Sequence, residues 1–168
     1  ISRDGESHGY YVYPDMSADS LYTLMCADYI VENEDSWHTH SKHMLYQKPK
    51  TGYYRFPAEM GNKHLIRRLQ LGNETPIQLS FTHVIRTRTQ LAGALSKKLL
   101  VDSADVIQRL DNPSYMAQYG LTPETAVCMF IPNTYEVYWT TSVDKLFARM
   151  YKEYQQFWNE ERRAKAQA

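Results

Sequence analysis

The chain has 168 residues, and its 19 basic and 19 acidic side chains give a formal net charge of zero. That length allows one or two small domains with enough chain to bury a core. The absence of a basic stripe removes the electrostatic drive that nucleic-acid binding needs, and no apolar run approaches the roughly 18 residues that span a bilayer.

Two cysteines, Cys26 and Cys128, lie far apart and form neither a disulfide framework nor a CxxC pair. Their apolar neighbours predict buried free thiols. The sequence begins at Ile1 without a signal-peptide pattern and reads as a piece of a longer protein.

In chain order, "YYVYPDMSADSLYTLM" (residues 10–25) predicts a strand ending at Pro14-Asp15. A helix follows with Leu21, Leu24 and Met25 on one side. Next, "NEDSWHTHSKHMLYQK" predicts a helix capped by Ser36 behind Glu34 and Asp35, with Trp37, Met44 and Leu45 facing inward. The first theme then recurs in "YYRFPAEMGNKHLIRRLQLGN" (residues 53–73). Here Leu65, Ile66 and Leu69 form the apolar stripe, and Gly72-Asn73 supply a helix C-terminus that tolerates positive φ.

The segment "PIQLSFTHVI" alternates Ile77, Leu79 and Phe81 with polar residues, the pattern of a half-buried strand. Leu91, Leu95 and Leu99 place a helix over about 89–100, and Asp102 or Ser103 caps a short helix that runs to Leu110 and is broken by "DNPS". The apolar run Ala126–Pro132 reads as a strand stopped by a Pro-Asn turn. After it, "TTSVDKLFARMYKEYQQFWNEERRAKA" carries Val143, Leu146, Phe147, Met150, Tyr154, Phe157 and Trp158 at i, i+3, i+4, i+7 spacing. Thr141 and Asp144 suit a capping box for this long helix. The pattern predicts an α+β fold, with units over residues 1–74 and 75–168. The polar "ERRAKAQA" end, with no stop signal, makes the second unit read as truncated.

The histidines His38, His40 and His43 crowd one helix, but no cysteine or carboxylate pair completes a metal site. They read as a solvated surface, so no metal is expected. Glu124, after Pro123, suits the first turn of a helix. Glu136, between Tyr135 and Tyr138, is better placed for acid–base work, although a rim carboxylate is the plainer reading. No nucleophile elbow, phosphate-cradling loop or Rossmann fingerprint occurs. The aromatic turn "FIPNTYEVYW" has two readings. Tyr135 and Trp139, with Asn133 and Glu136, form a wall that stacks on pyranose faces, or the two rings pack the junction between strand and helix.

The stretch "FIPNTYEVYWTTSVDKLFARMYKEYQQFW" resembles the signature of the YceG-like endolytic murein transglycosylases. In it, Pro132, Asn133, Thr134 and Tyr135 match the family's turn, and Met150 and Trp158 match its helix. Upstream, "TGYYRFPAEMGNKHLIRRLQLG" is similar to a second family segment at Gly52, Tyr54, Met60, Leu69 and Gly72. "YVYPDMSADSLYTLM" is similar to the family's first, LysM-like, unit. Val127-Cys128 stand where members often carry Glu-Gly, and "FTHVIRT" lacks their acidic-glycine pair.

The resemblance implies a small LysM-like unit, residues 1–74, followed by the first part of a larger α+β catalytic domain, residues 75–168. It implies an envelope protein, held at the inner membrane by an N-terminal anchor missing from this chain. Such a protein cuts the glycan strands of peptidoglycan internally and meets cell-wall synthesis proteins. The family's catalytic Glu lies in a motif that this sequence does not contain, so no catalytic residue is carried over and the chain alone is expected to be inactive. The family is also labelled aminodeoxychorismate lyase, a pyridoxal phosphate chemistry. Nothing in the sequence marks such a site, and no cofactor is expected. A non-catalytic glycan-binding or scaffold module is the alternative.

Overall fold

The computed structural model describes residues 2–29, 34–44, 48–81 and 85–167. Expectations for Leu45 and for the side chains of His43 and Met44 lie outside the described residues. The chain divides into two compact units, Ile1–Ile77 and Gln78–Ala168. Each mixes helices with a short strand pair, and the fold is α+β.

In the first unit, β1 (His8–Val12) and β2 (Gly52–Phe56) pair antiparallel, with Tyr10 opposite Tyr54 and Tyr11 opposite Tyr53. Period-two alternation turns Tyr10, Val12, Tyr54 and Phe56 into the core and leaves Gly9, Tyr11 and Arg55 outside. Three helices supply the other wall: α1 (Ala18–Met25), α2 (Glu34–Met44) and α3 (Asn62–Leu71). Leu21, Met25, Trp37, Leu65, Ile66 and Leu69 are buried against the inner strand face.

Ser17 caps α1, accepting from the Ser20 amide at 3.1 Å. Gly72 ends α3 at φ 75°, as the Gly-Asn signal predicts. Leu24 departs from the expected stripe and is 47% exposed, because only Leu21 and Met25 share the inward i, i+4 row. Ser36 is not the cap of α2. The helix already starts at Glu34, the charge of Asp35 in its first turn suits its positive end, and His40 Nδ1 donates to the Ser36 carbonyl at 2.7 Å.

Strand β3 (Ile77–Ser80) spans the boundary, with its last three residues in the second unit. There follow α4 (Arg88–Lys98), capped by a reciprocal Thr87–Gln90 box, and α5 (Ser103–Leu110), capped by Asp102. "DNPS" ends α5 and also starts the next helix. Asn112 caps α6 (Pro113–Ala117), where Pro113 occupies the first helical position and its missing N–H costs nothing. Leu91, Leu95 and Leu99 are buried as expected, with Val106, Leu110 and Met116.

Ala126–Pro132 is not a strand. Residues Ala126–Met129 form a 3-10 turn, led in by a Thr122–Thr125 hydroxyl exchange and held by the Cys128 amide donating to Thr125. Local bonds have taken the backbone, and Pro132 offers no N–H to a ladder, so β4 (Thr134–Val137) begins only after the corner.

Helix α7 (Val143–Phe157) buries Val143, Leu146, Phe147 and Met150. Its cap is Ser142, not Thr141: the Ser142 hydroxyl accepts from the Lys145 amide. The chain does not continue as one helix. It breaks at Trp158, and Asn159 starts α8 (Glu160–Gln167) by accepting from the Arg162 amide at 3.0 Å. The Asn-Glu-Glu sequence is itself a cap followed by an acidic first turn. Among the described residues no helix is long and apolar enough to cross a membrane.

Two stability outcomes follow. Ser142→Ala should lower the unfolding free energy by about 1 kcal/mol in urea titrations, while Thr141→Ala stays within about 0.5 kcal/mol. The second concerns alkaline pH. Burial pushes the Tyr54 hydroxyl up to about 12, Glu74 adds to the shift and Arg68 opposes it. Burial also raises Tyr10 and Tyr29, with Asp28 accepting from the Tyr10 hydroxyl at 2.5 Å. These groups must stay protonated in the fold, so their stabilisation is complete below the unfolded tyrosine pKa near 10 and falls as pH rises above it, that of Tyr54 being lost through about 12. The urea midpoint of the first unit should fall across that window, and Tyr54→Phe should make the fall shallower.

Candidate functional site

Strands β3 and β4 form a two-stranded ribbon. The Ser80 and Thr134 hydroxyls bond at 2.9 Å, and the Phe81 amide donates to the Asn133 carbonyl at 2.9 Å. The paired numbers run in opposite directions, which makes the register antiparallel. Alternation splits the ribbon into two faces. Leu79, Phe81, Tyr135, Val137 and Trp139 are buried, whereas Gln78, Ser80, Thr134, Glu136 and Tyr138 are exposed.

The inner face is an aromatic core. Phe81 lies 5.7 Å from Phe130 and 5.9 Å from Tyr135, and Phe130 meets Phe147 of α7 edge-on at 5.4 Å. Tyr135 donates its hydroxyl to the Ile131 carbonyl at 2.7 Å, closing the Pro132 corner from inside. Burial pushes that hydroxyl's pKa up, and Glu153 adds to the shift. Trp139 is 5% exposed, and its carbonyl accepts from the Leu100 amide at 2.9 Å. Tyr135 and Trp139 therefore pack the unit and do not face a ligand as an aromatic wall. The strand's phase decides this, because both residues sit at odd positions that turn inward.

Asn133 and Glu136 are exposed, as a ligand contact requires. The Asn133 Oδ1 accepts from the Thr134 amide at 2.8 Å and stiffens the corner. Of the four residues picked from sequence, the ribbon leaves Asn133 and Glu136 outside and seals Tyr135 and Trp139 within. The aromatic side chain on the outer face is Tyr138, 51% exposed. Counting by twos from Thr134 selects it together with Glu136, a signal present in the sequence.

A general acid needs a carboxyl group with a raised pKa. Those with displaced titration are displaced downward. The Arg109 guanidinium and then the Tyr115 hydroxyl hold Asp144 low; the Ser2 hydroxyl, the Glu6 amide and His8 hold Asp4 well below its usual range; and Thr122 lowers Glu124. Glu124 sits in the exposed turn before the 3-10 segment.

Among the described residues no cluster of three or more His, Cys, Asp or Glu is placed to hold a metal. His40 is tied to Ser36 and His38 lies against Tyr22 at 5.4 Å, while the His43 side chain lies outside the described residues. Cys26 is half-buried and Cys128 exposed, in contrast to the buried thiols expected. Cys128 is turned out because the 3-10 turn directs Ala126 and Met129 inward.

The split between the two faces has a direct readout. Trp139→Ala should cost about 3–5 kcal/mol of unfolding free energy, and Tyr135→Phe about 1 kcal/mol for the hydrogen bond to Ile131. Glu136→Gln and Tyr138→Ala should stay within about 0.5 kcal/mol in the same urea titration.

A model of the YceG-like family matches residues 10–168. Among solved structures, the chain is similar to a yceG-like protein of Listeria monocytogenes at 19% identity and a TM-score of 0.43. The similarity covers 89% of this chain and 54% of that one, so the chain spans about half the length of that protein. A search of curated proteins returned no match. With the family match running from the first strand pair through α8, this chain belongs to the YceG-like family.

Proposed function

We propose that this chain is the N-terminal portion of a peptidoglycan lytic transglycosylase, one that cleaves glycan strands internally and leaves 1,6-anhydro-N-acetylmuramic ends. The observation that carries this reading is the match to the YceG-like family over residues 10–168. In it, residues 1–74 form a LysM-like unit. The β1-α1-α2-β2 order, with an antiparallel strand pair, is in line with that assignment. Residues 75–168 then begin the catalytic domain. The whole protein works in the cell envelope, anchored at the inner membrane with this region outside the cytoplasm, and meets cell-wall synthesis proteins there.

The reaction needs one carboxyl group with a raised pKa. It protonates the glycosidic oxygen and then, as a base, assists the sugar's own 6-hydroxyl in attacking C1. Because water is not the nucleophile, the second carboxylate of a hydrolase is dispensable. That acid lies in a part of the protein other than this chain. The contribution of this region is to hold the strand. The outer ribbon face offers hydroxyl, carboxylate and phenol groups at Ser80, Thr134, Glu136 and Tyr138, suited to sugar hydroxyls and to one stacked ring.

The second reading, a glycan-binding module without catalysis, draws support from the exposed hydroxyl, carboxylate and phenol groups of the same ribbon face. One experiment separates the two. Purified sacculi are incubated with the full-length parent protein and with this chain, and soluble products are analysed for anhydro ends. The parent should release them, and this chain should sediment with sacculi and release nothing. A parent that binds sacculi without releasing anhydro ends supports the binding module alone, and a chain that does not sediment contradicts both readings.

A further inference from the structure

A cleft of about 500 Å3 lies in the second unit, away from the ribbon residues, where α7 ends and α8 turns back. Its walls are aromatic. Tyr119, on the turn after α6, lies 5.2 Å from Tyr151, and the Tyr151 and Tyr154 rings are nearly parallel, 17° apart, with centroids at 6.4 Å. Trp158 also lines it. All four rings are half-buried, so each keeps a face or an edge toward solvent.

The turn is built for this. Gly120 adopts φ 66°, and the Gly120 and Leu121 amides return to the Ala117 and Met116 carbonyls, which fixes Tyr119 at the rim. On α7 the Tyr151–Tyr154 spacing of i, i+3 lays the two rings side by side.

The charge at the mouth is selective. In α8, Lys165 is paired with Glu161 at 2.6 Å, and Arg162 donates to the Phe157 carbonyl while lying over the Phe157 ring. Arg163 donates through Nε to the Trp158 carbonyl at 2.7 Å, which orients the guanidinium against the cleft. Among the described residues its outer N–H groups meet no carboxylate, and neither Tyr151 nor Tyr154 uses its hydroxyl in a hydrogen bond. An oriented guanidinium beside a phenol-rimmed aromatic shelf matches a ring with an apolar C–H face, peripheral hydroxyls and one carboxylate.

We propose that this cleft is a second glycan site, separate from the ribbon face, which takes a carboxylate-bearing sugar with Arg163 reading the acid and Tyr151 and Tyr154 stacking on the ring. The proposal rests on the glycan-strand reading above and adds to it a site with charge preference.

The test uses the 168-residue chain and two soluble probes. One is the disaccharide of N-acetylglucosamine and N-acetylmuramic acid; the other is the neutral disaccharide of N-acetylglucosamine. Calorimetry should give about tenfold tighter binding for the acidic probe. Arg163→Gln should abolish that preference and leave the neutral probe unchanged. Tyr151→Ala should weaken both probes by about tenfold or more. Arg163 is exposed, so its variant keeps the test sound if Tyr151→Ala proves poorly folded by circular dichroism.

An unchanged preference in Arg163→Gln overturns the proposal, as does failure of both probes to bind. Sedimentation with sacculi is measured in parallel. If the unmodified chain sediments while the probes ignore the cleft variants, the second site falls and the glycan-strand reading stands. If it does not sediment, both fall.

Discussion

Tyr135 is held at both ends, and the character of the ribbon depends on it. Its ring is locked between Phe81 and the core beneath α7, and its hydroxyl reaches back over Pro132 to the Ile131 carbonyl. This fixes the phase of β4. A slip of one residue would exchange the two faces, turning Glu136 and Tyr138 inward and Tyr135 and Trp139 out. Burying Glu136 unpaired would be opposed by several kcal/mol of desolvation, so the register is decided by energies far larger than any strand propensity. The surface a ligand meets is thus set from the inside.

The first unit shows the same logic in a different residue pattern. Adjacent tyrosines stand opposite one another in β1 and β2, and one of each pair, Tyr10 and Tyr54, is sealed in the core. A buried phenol needs a partner, and both have one: Asp28 for Tyr10, the Lys50 carbonyl for Tyr54. Their neighbours Tyr11 and Tyr53 meet outside at 4.8 Å, and Tyr53 lies so close over Gly9 that a Cβ there would displace its ring. A side chain at that position would make the half-buried Tyr53 ring swing aside.

The helices were readable from periodicity because burial follows it closely. Leu65, Ile66 and Leu69, and Val143, Leu146, Phe147 and Met150, are buried where the 3.6-residue repeat puts them. What the sequence hid was competition between local and ladder hydrogen bonds. Ala126–Met129 has the composition of a strand, yet the Thr122–Thr125 exchange and Pro132 commit its backbone to a 3-10 turn. The break at Trp158 was hidden for a similar reason. Phe157 and Trp158 keep the apolar spacing, while Asn159 and the acidic pair after it offer the chain a new helix start. In the candidate site, residue choice by aromatic content picked Tyr135 and Trp139. Phase, counted from the corner, keeps Glu136 from the sequence reading and puts Tyr138 in place of the two rings.

The displaced carboxylates are tied into the fold. A general acid needs an environment that penalises its charge, and the displaced carboxyls here are stabilised as anions. Asp144 is the clearest case. It accepts from Arg109 at 2.8 Å and from Tyr115 at 2.6 Å, and Arg109 also binds Asp105, so the carboxylate ties the start of α7 to the end of α5 and to α6. Such a carboxylate is committed to structure. The outer N–H groups of Arg163, by contrast, meet no carboxylate among the described residues and lie beside an aromatic shelf. Its Nε is committed to the Trp158 carbonyl at the end of α7, which leaves the outer edge of the guanidinium as the part able to meet an anion.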